Sequence, residues 1–520
     1  MKSSIISKNV DLSRRNWWRV IGRLVAAGLF VFMGFGEKNA AGGWTRETTR
    51  DHKMADFEPP RVDLQRYKSV QSRPNQNKDL ALAVAISGGG HRAANFAAGV
   101  LLALEQFSLN DDDDGEAYNL LKEVDYFSTV SGGGFPVGVY FATRYDHRPG
   151  RGYSFRKALK SKDERYLKNL RRDYQMTLLE AAFNPQCAGY KDAGDLLEEK
   201  FDDYMLGAEY RSSKQSLRLS DVFRADKTAA PPVELPYWFA NATIYENGSR
   251  FVFTPGIIRE YGITHCTHRM EGLNIEGKPE SMPLAVGLKT SASFPVLIPA
   301  TTMHCKAESD PLNPYLHLID GGLVDNQGIF TAFEVLRQDP AKHKVLLVID
   351  AYKGISHPRS RWRASPSGPE MAARIMKIAL DSAHNRLDET IAYQRQLGEV
   401  DGKGGGIEVA MISFSTLKPE TRARIDDLET EVKKIRKEKF KGFARRIRRE
   451  VKALFQKDKS KEEGLVSDDI SAMELYHDAH AVGTTLNITP AQQSLLLEAG
   501  HEAVEKQREF IGKKLLPRTR

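Results

Sequence analysis

Residues 83–100 read AVAISGGGHRAANFAAGV, and this junction decides the fold. The apolar run LALAVAIS, from Leu80 to Ser87, has the length and glycine boundary of a buried strand. Three glycines follow, Gly88 to Gly90, and after Arg92 the apolar residues of NFAAGVLLALEQF recur at helical spacing. A strand, a bare-backbone turn and a helix form the first half of an α/β unit. The second half follows an acidic loop, Asp111 to Gly115. NLLKEVDYFSTVS ends in a second strand, and GGGFPVGVYFATRY reads as its helix. Strand and helix alternating in this way predict an α/β fold whose central sheet is mainly parallel and covered on both faces.

Outward from this core, residues 151–235 are charged and helical in texture, an insertion in a domain spanning residues 79–415. YWFANATIY and SRFVFTP predict a hairpin about Glu246-Asn247-Gly248, and KVLLVIDAY and IEVAMISFS two further core strands. Between those strands, Pro369 to Leu397 reads as one long helix. Residues 44–78, with EPPRVD and SRPNQNKD, read as a linker. Residues 416–520 form a charged helical C-terminal region. Within it Val432, Ile435, Phe440, Phe443, Ile447, Val451 and Leu454 trace an apolar stripe among many Lys and Arg residues. A basic amphipathic helix of this kind lies on an anionic membrane or packs as a surface helix on its own domain.

The chain has 520 residues, 41% hydrophobic and 28% charged, with a formal net charge of +8. This excludes a largely disordered chain and a polytopic membrane protein. A positive charge of this size suits nucleic acid, an anionic membrane surface or simply solubility, and no nucleic-acid partner is expected. In residues 1–43, Arg14 and Arg15 precede an uncharged run from Leu24 to Gly36, and small residues follow around Ala40 to Gly43. This is the layout of an export signal, and Ser13 to Arg19 (SRRNWWR) resembles the bacterial twin-arginine type. A membrane anchor is the alternative. The implied location is a periplasm or cell envelope, or the cytoplasmic side of a membrane. Three cysteines make no disulfide scaffold; in an oxidising compartment Cys266 and Cys305 are candidates to pair, leaving Cys187. Their neighbouring histidines lack the usual paired-ligand spacing of a zinc site, and no metal or cofactor is expected.

Bare backbone at a helix start exposes N–H groups that suit an anion. A phosphate loop would end in Gly-Lys-Ser/Thr, whereas Gly90-His91-Arg92 stands here. The other anion is the oxyanion of acyl transfer, which requires a nucleophile. Ser131, in FSTVSGGGF, sits where a strand turns into a helix, the setting of a nucleophile elbow, although Thr129 replaces the first glycine of Gly-x-Ser-x-Gly. A serine needs a base. Asp320, in HLIDGGLVDNQG, again ends a strand at a glycine pair. His343 and His357 follow it, so a Ser-His-Asp type esterase with the order Ser-Asp-His is also available, and the alternative from another class is a catalytically inactive scaffold held at a membrane by the basic helix.

Gly88-Gly89-Gly90-His91-Arg92, Ser131 in TVSGG and Asp320-Gly321-Gly322 together resemble the signature of the patatin-like phospholipases, over roughly Leu80 to Phe414. ANATIYENGSRFVFTP and TSASFPVLIPA also look like elements of that family. The resemblance implies a three-layer α/β fold and a catalytic dyad, Ser131 as nucleophile and Asp320 as its base. The oxyanion hole would be drawn from Gly88, Gly89, Gly90, His91 and Arg92, and no metal would be needed. It further implies a lipid ester as substrate and a membrane surface as partner.

Overall fold

The computed structural model describes residues 59–67, 77–107, 119–147, most of 152–174 and 193–223, 235–266, most of 272–306, 314–352, parts of 374–392, 406–431, 434 and 488–515. The export signal, Cys187, His357 and nearly all of the basic stripe lie outside the described residues.

The two sequence-read units form as expected. Strand β1 (Leu80–Ile86) leads through the glycines into helix α1 (Gly90–Leu104), and β2 (Tyr126–Val130) leads through Ser131 into α2 (Gly134–Tyr145). The remaining strands are β3 (Tyr237–Ile244), β4 (Arg250–Val252), β5 (Ile263–Cys266), β6 (Leu273–Asn274), β7 (Thr301–Cys305), β8 (Tyr315–Asp320), β9 (His343–Asp350) and β10 (Ile407–Ser413). All ten belong to one sheet in the order β10-β9-β1-β2-β3-β8-β7-β5-β6, with β4 on β3. The centre, β10 through β3, is parallel throughout. Beyond β3 the sheet continues antiparallel through β8, β7, β5 and β6. The predicted hairpin is β3–β4, antiparallel.

Period-two alternation along β2 shows how the layers are built. Phe127 packs edge-on against Tyr140 and Phe141 of α2. Thr129, on the same face, accepts a hydrogen bond from the Trp238 indole. Tyr126 and Ser128 face the other way. The Tyr126 hydroxyl donates to Asp339, and the Ser128 hydroxyl to the Gly328 carbonyl, at the two ends of helix α4 (Ile329–Gln338). Between α2 and α4 in the chain, helix α3 (Leu284–Ser291) packs on the β3 side of the first face, where Gly287 lies against Phe253 and Ala240. Helices therefore cover both faces, and the strands read as continuous apolar runs because neither side is wet.

Several segments outside the sequence-read core join it. Val62 and Tyr67, in the stretch read as a linker, are buried in the same hydrophobic cluster as the sheet. A fifth helix, α5 (Pro490–Lys506), crosses α1 at a contact between glycines. A Cβ on Gly99 would stand 2.3 Å from the Leu497 carbonyl oxygen, and one on Gly500 equally close to that of Phe96. The described part of residues 151–235 is a series of short helices. Of the long helix read between β9 and β10, residues 378–385 are helical and described. Cys266 and Cys305, left open above as candidates to pair, are both buried and form no disulfide. On neighbouring strands Cys305 stands opposite Ile263 and Cys266 opposite Met303, so the two are offset in register.

Candidate active site

The register of three strands brings the two proposed catalytic residues together. Val130 on β2 pairs with Asn241 of β3, so Ser131 arrives level with Ala242. On the other edge of β3, Asp320 pairs with Ala242 itself. Strands on either side of a common neighbour lie about 10 Å apart, a span that two inclined side chains and a hydrogen bond can close. The two side chains are thereby neighbours, close enough for the Ser131 hydroxyl to have a lowering effect on the pKa of the Asp320 carboxyl.

Local backbone aims each group. Ser131 has φ 52°, one of only a few non-glycine residues of the described chain with positive φ. That conformation is costly for serine and marks the tight turn of a nucleophile elbow. Its N–H donates to the Ser291 hydroxyl at 2.9 Å. Thr129 does not loosen the turn: its hydroxyl is buried and receives the Trp238 Nε1–H at 2.8 Å. The glycines after Ser131 answer to a different constraint. A Cβ on Gly132 would fall 2.2 Å from the Gly90 carbonyl oxygen, and one on Gly133 2.5 Å from that of Ser87. The two glycine-rich turns thus pack backbone on backbone, which is why both junctions are bare.

Asp320 is 2% exposed. Burial pushes its carboxyl up to about 7, against the lowering effect of the Gly322 N–H, which donates at 2.8 Å, and of the Ser131 hydroxyl. Its own N–H donates to the Ser293 carbonyl at 3.0 Å, and its carbonyl accepts the Thr243 hydroxyl at 2.9 Å. The carboxyl is therefore fixed from both ends of its backbone, and its acidity lies in the range that suits a general base near neutral pH.

The glycine-rich loop is more selective than its sequence suggested. Gly89 caps α1 at φ 137° with no side chain bonded to the helix start, so first-turn N–H groups are left facing outward. Gly88 stands close to the nucleophile: a Cβ there would lie 3.3 Å from that of Ser131. Its N–H, however, donates to the Asn326 carbonyl at 2.9 Å, which corrects its expected place among the oxyanion donors. The side chains of His91 and Arg92 also point to other tasks. His91 Nε2 meets the Arg172 carbonyl at 2.8 Å, and its ring packs on Phe135 and Tyr174. Arg92 donates from Nε to the Ala351 carbonyl at 3.1 Å and pairs with Glu429 at 3.8 Å, tying the first turn of α1 to the end of β9. Gly89 and Gly90, with the backbone N–H groups of the turn that follows, remain as the candidates for an anion-facing edge.

Three residues that sequence reasoning passed over shape the site: Ser291, Ser293 and Asn326. Asn326 lies in DNQG, where Asp325 accepts from the N–H groups of Gln327, Ile329 and Phe330 and so forms the turn into α4. Turn chemistry of that kind is visible in a sequence, but its neighbour Gly88 is not. His343 begins β9 opposite Leu80, roughly 20 Å down the strands from Ser87. It is thus remote from Ser131, and a triad through it is ruled out.

No family profile matches the chain. Among curated proteins, it is similar to lysophospholipase 3 of Aspergillus fumigatus, with 28% identity over 192 residues, 32% of this chain and 30% of that protein. A lysophospholipase of Arthroderma benhamiae is 35% identical over 92 residues, 17% of this chain and 14% of that one. The chain thus spans less than a third of the length of these curated relatives. Among solved structures, human GIVD cytosolic phospholipase A2 aligns with 52% of this chain and 43% of its own, at 14% identity and a TM-score of 0.30.

Proposed function

We propose that this chain is a lipid acyl hydrolase of the patatin-like type, working through an acyl-serine on Ser131 with Asp320 as general base. The observation that carries the reading is the register that brings Ser131, held at positive φ, beside the buried Asp320 carboxyl across β3. In the first step Ser131 Oγ attacks the ester carbonyl and its proton passes to Asp320. The tetrahedral oxyanion faces the uncapped N–H groups at the start of α1, with the helix dipole behind them. Collapse expels the alcohol, which takes the proton back from Asp320. Water, deprotonated by Asp320, then attacks the acyl-serine; the fatty acid leaves and the proton returns to Ser131. Every step uses side chains that are already neighbours and none requires a metal.

The similarity to lysophospholipases favours a lysophospholipid or phospholipid ester as the substrate class. The basic amphipathic stretch Val432 to Leu454 would hold the enzyme at an anionic surface. The twin-arginine-like N-terminus would place it in a cell envelope. No helix among the described residues is long and apolar enough to cross a membrane. The test is incubation of the purified chain with a mixed lipid extract, with mass spectrometry of the products, beside labelling by a fluorophosphonate probe. Released fatty acid and a probe adduct mapped to Ser131 support the reading. Unchanged lipids together with an unlabelled Ser131 would remove it.

A further inference from the structure

One short turn touches both members of the dyad. Residues Lys289 to Ser293, KTSAS, form the end of α3 and the turn beyond it. The Ser291 hydroxyl accepts the Ser131 N–H at 2.9 Å, and the Ser293 carbonyl accepts the Asp320 N–H at 3.0 Å. The turn is itself anchored. Lys289, 1% exposed, donates from Nζ to the Thr301 hydroxyl at 3.0 Å, and Thr290 shares that partner at 2.6 Å. Thr301 lies on β7 opposite Leu318, two residues before Asp320. The Ser293 hydroxyl closes the helix end by donating to the Lys289 carbonyl at 3.1 Å.

Ser131 needs such a partner. Its positive φ turns the N–H away from the strand ladder into a buried region, where an N–H without an acceptor is strongly disfavoured. The backbone can escape by relaxing to negative φ, and that rotation would swing Oγ out of line with Asp320. A hydroxyl acceptor fixed at the end of α3 closes this escape. We infer that Ser291 is a positioning residue for the reaction proposed above: by accepting the Ser131 N–H from a turn that also holds Asp320, it keeps nucleophile and base in register. The inference rests on the hydrolase reading but concerns a residue which that reading does not use.

The experiment compares the full-length parent with Ser291→Ala, Ser291→Thr and Thr143→Val on p-nitrophenyl butyrate, a soluble ester that bypasses any lipid surface. Thr143 serves as control. It too is a buried hydroxyl, but it bonds to its own helix and to Tyr153, away from the dyad. Ser291→Ala should lower kcat by about fivefold to twentyfold, the effect expected of one lost buried hydrogen bond, with KM within about twofold. The rate of fluorophosphonate labelling at Ser131 should fall in parallel. Ser291→Thr, which keeps the oxygen, should recover most of the rate, and Thr143→Val should keep the parent's kcat even where its Tm falls as far as that of Ser291→Ala. An unchanged kcat and labelling rate in Ser291→Ala would overturn the inference, and so would an equal loss in Thr143→Val. A parent that neither labels at Ser131 nor hydrolyses the ester would instead remove the hydrolase reading on which the inference stands.

Discussion

Replacing Asp320 by Asn should make the protein more stable and nearly inactive, with a pH signature that identifies the cause. The carboxyl titrates at about 7 in the fold against an ordinary value of 3.8, because burial disfavours its charged form. Between about pH 4 and pH 7 the folded chain therefore holds a proton that the unfolded chain has released, and stability falls as pH rises through that window. Above pH 7 the ionised, desolvated carboxylate weighs against the folded state by about 4 kcal/mol, at roughly 1.36 kcal/mol for each pH unit between the two values. Asparagine carries no charge, and its Oδ1 can still accept the Gly322 N–H. Allowing for the burial of its amide, Asp320→Asn should gain about 2–4 kcal/mol at pH 8 and close to nothing at pH 4. Scanning calorimetry of parent and variant from pH 4 to pH 9 reads this as a Tm difference that opens with pH. The parent's kcat should rise through pH of about 7 as the base ionises, while the variant keeps only the residual rate of the oxyanion donors. A Tm gain that does not vary with pH, or a loss of stability at pH 8, would refute the account of Asp320 as a desolvated base.

Three further outcomes are expected. Gly89→Ala should reduce turnover by about a hundredfold or more on a soluble ester, because φ 137° is closed to alanine and the anion-facing N–H groups must move; steady-state kinetics on the folded variant checks it. Gly500→Ala should destabilise the protein by about 1–3 kcal/mol, since its Cβ would stand 2.3 Å from the Phe96 carbonyl oxygen and force α5 off α1, which a Tm comparison will show. Reversing Arg445, Arg446, Arg448 and Arg449 to Glu should weaken sedimentation with anionic vesicles at low salt and leave hydrolysis of a soluble ester unchanged.

The proposed catalytic pair was legible because each member ends an apolar strand and begins a glycine pair, two local signals that coincide. What brings them together was not legible. It depends on β3 lying between β2 and β8, one parallel and one antiparallel neighbour, and that arrangement leaves no mark in either motif. Strands β1, β2, β9 and β10 read clearly because both their faces are covered. Strands β5 and β7 did not: ITHC and TTMHC mix His, Thr and Cys, and their positions draw attention as ligands before they read as strands. Ser291 was hidden for a simpler reason. A serine in TSAS resembles any polar helix end, and only the approach of Ser131 from 160 residues away gives it a task. Gly88 shows the reverse error, a motif position whose N–H the fold has already committed.

The same contrast bears on how this chain remains folded around its site. A serine at positive φ and a carboxylate buried at neutral pH both oppose folding, and neither can be relieved without loss of the proposed chemistry. The offset has to come from elements that do not react. The α1–α5 crossing fits that role. It approaches backbone to backbone at Gly99 and Gly500, ties Gln493 to Asn95 at 2.8 Å, and braces the helix whose first turn carries the proposed oxyanion donors. Helix α5 lies nearly four hundred residues from Asn95 in sequence, yet any weakening of its seat must reach the N–H groups at the start of α1, because α1 is a single rigid element between them. Substitutions at that crossing should therefore lower turnover along with stability, whereas Gly248→Ala in the exposed β3–β4 turn, strained at φ 70°, should cost stability alone and leave turnover unchanged.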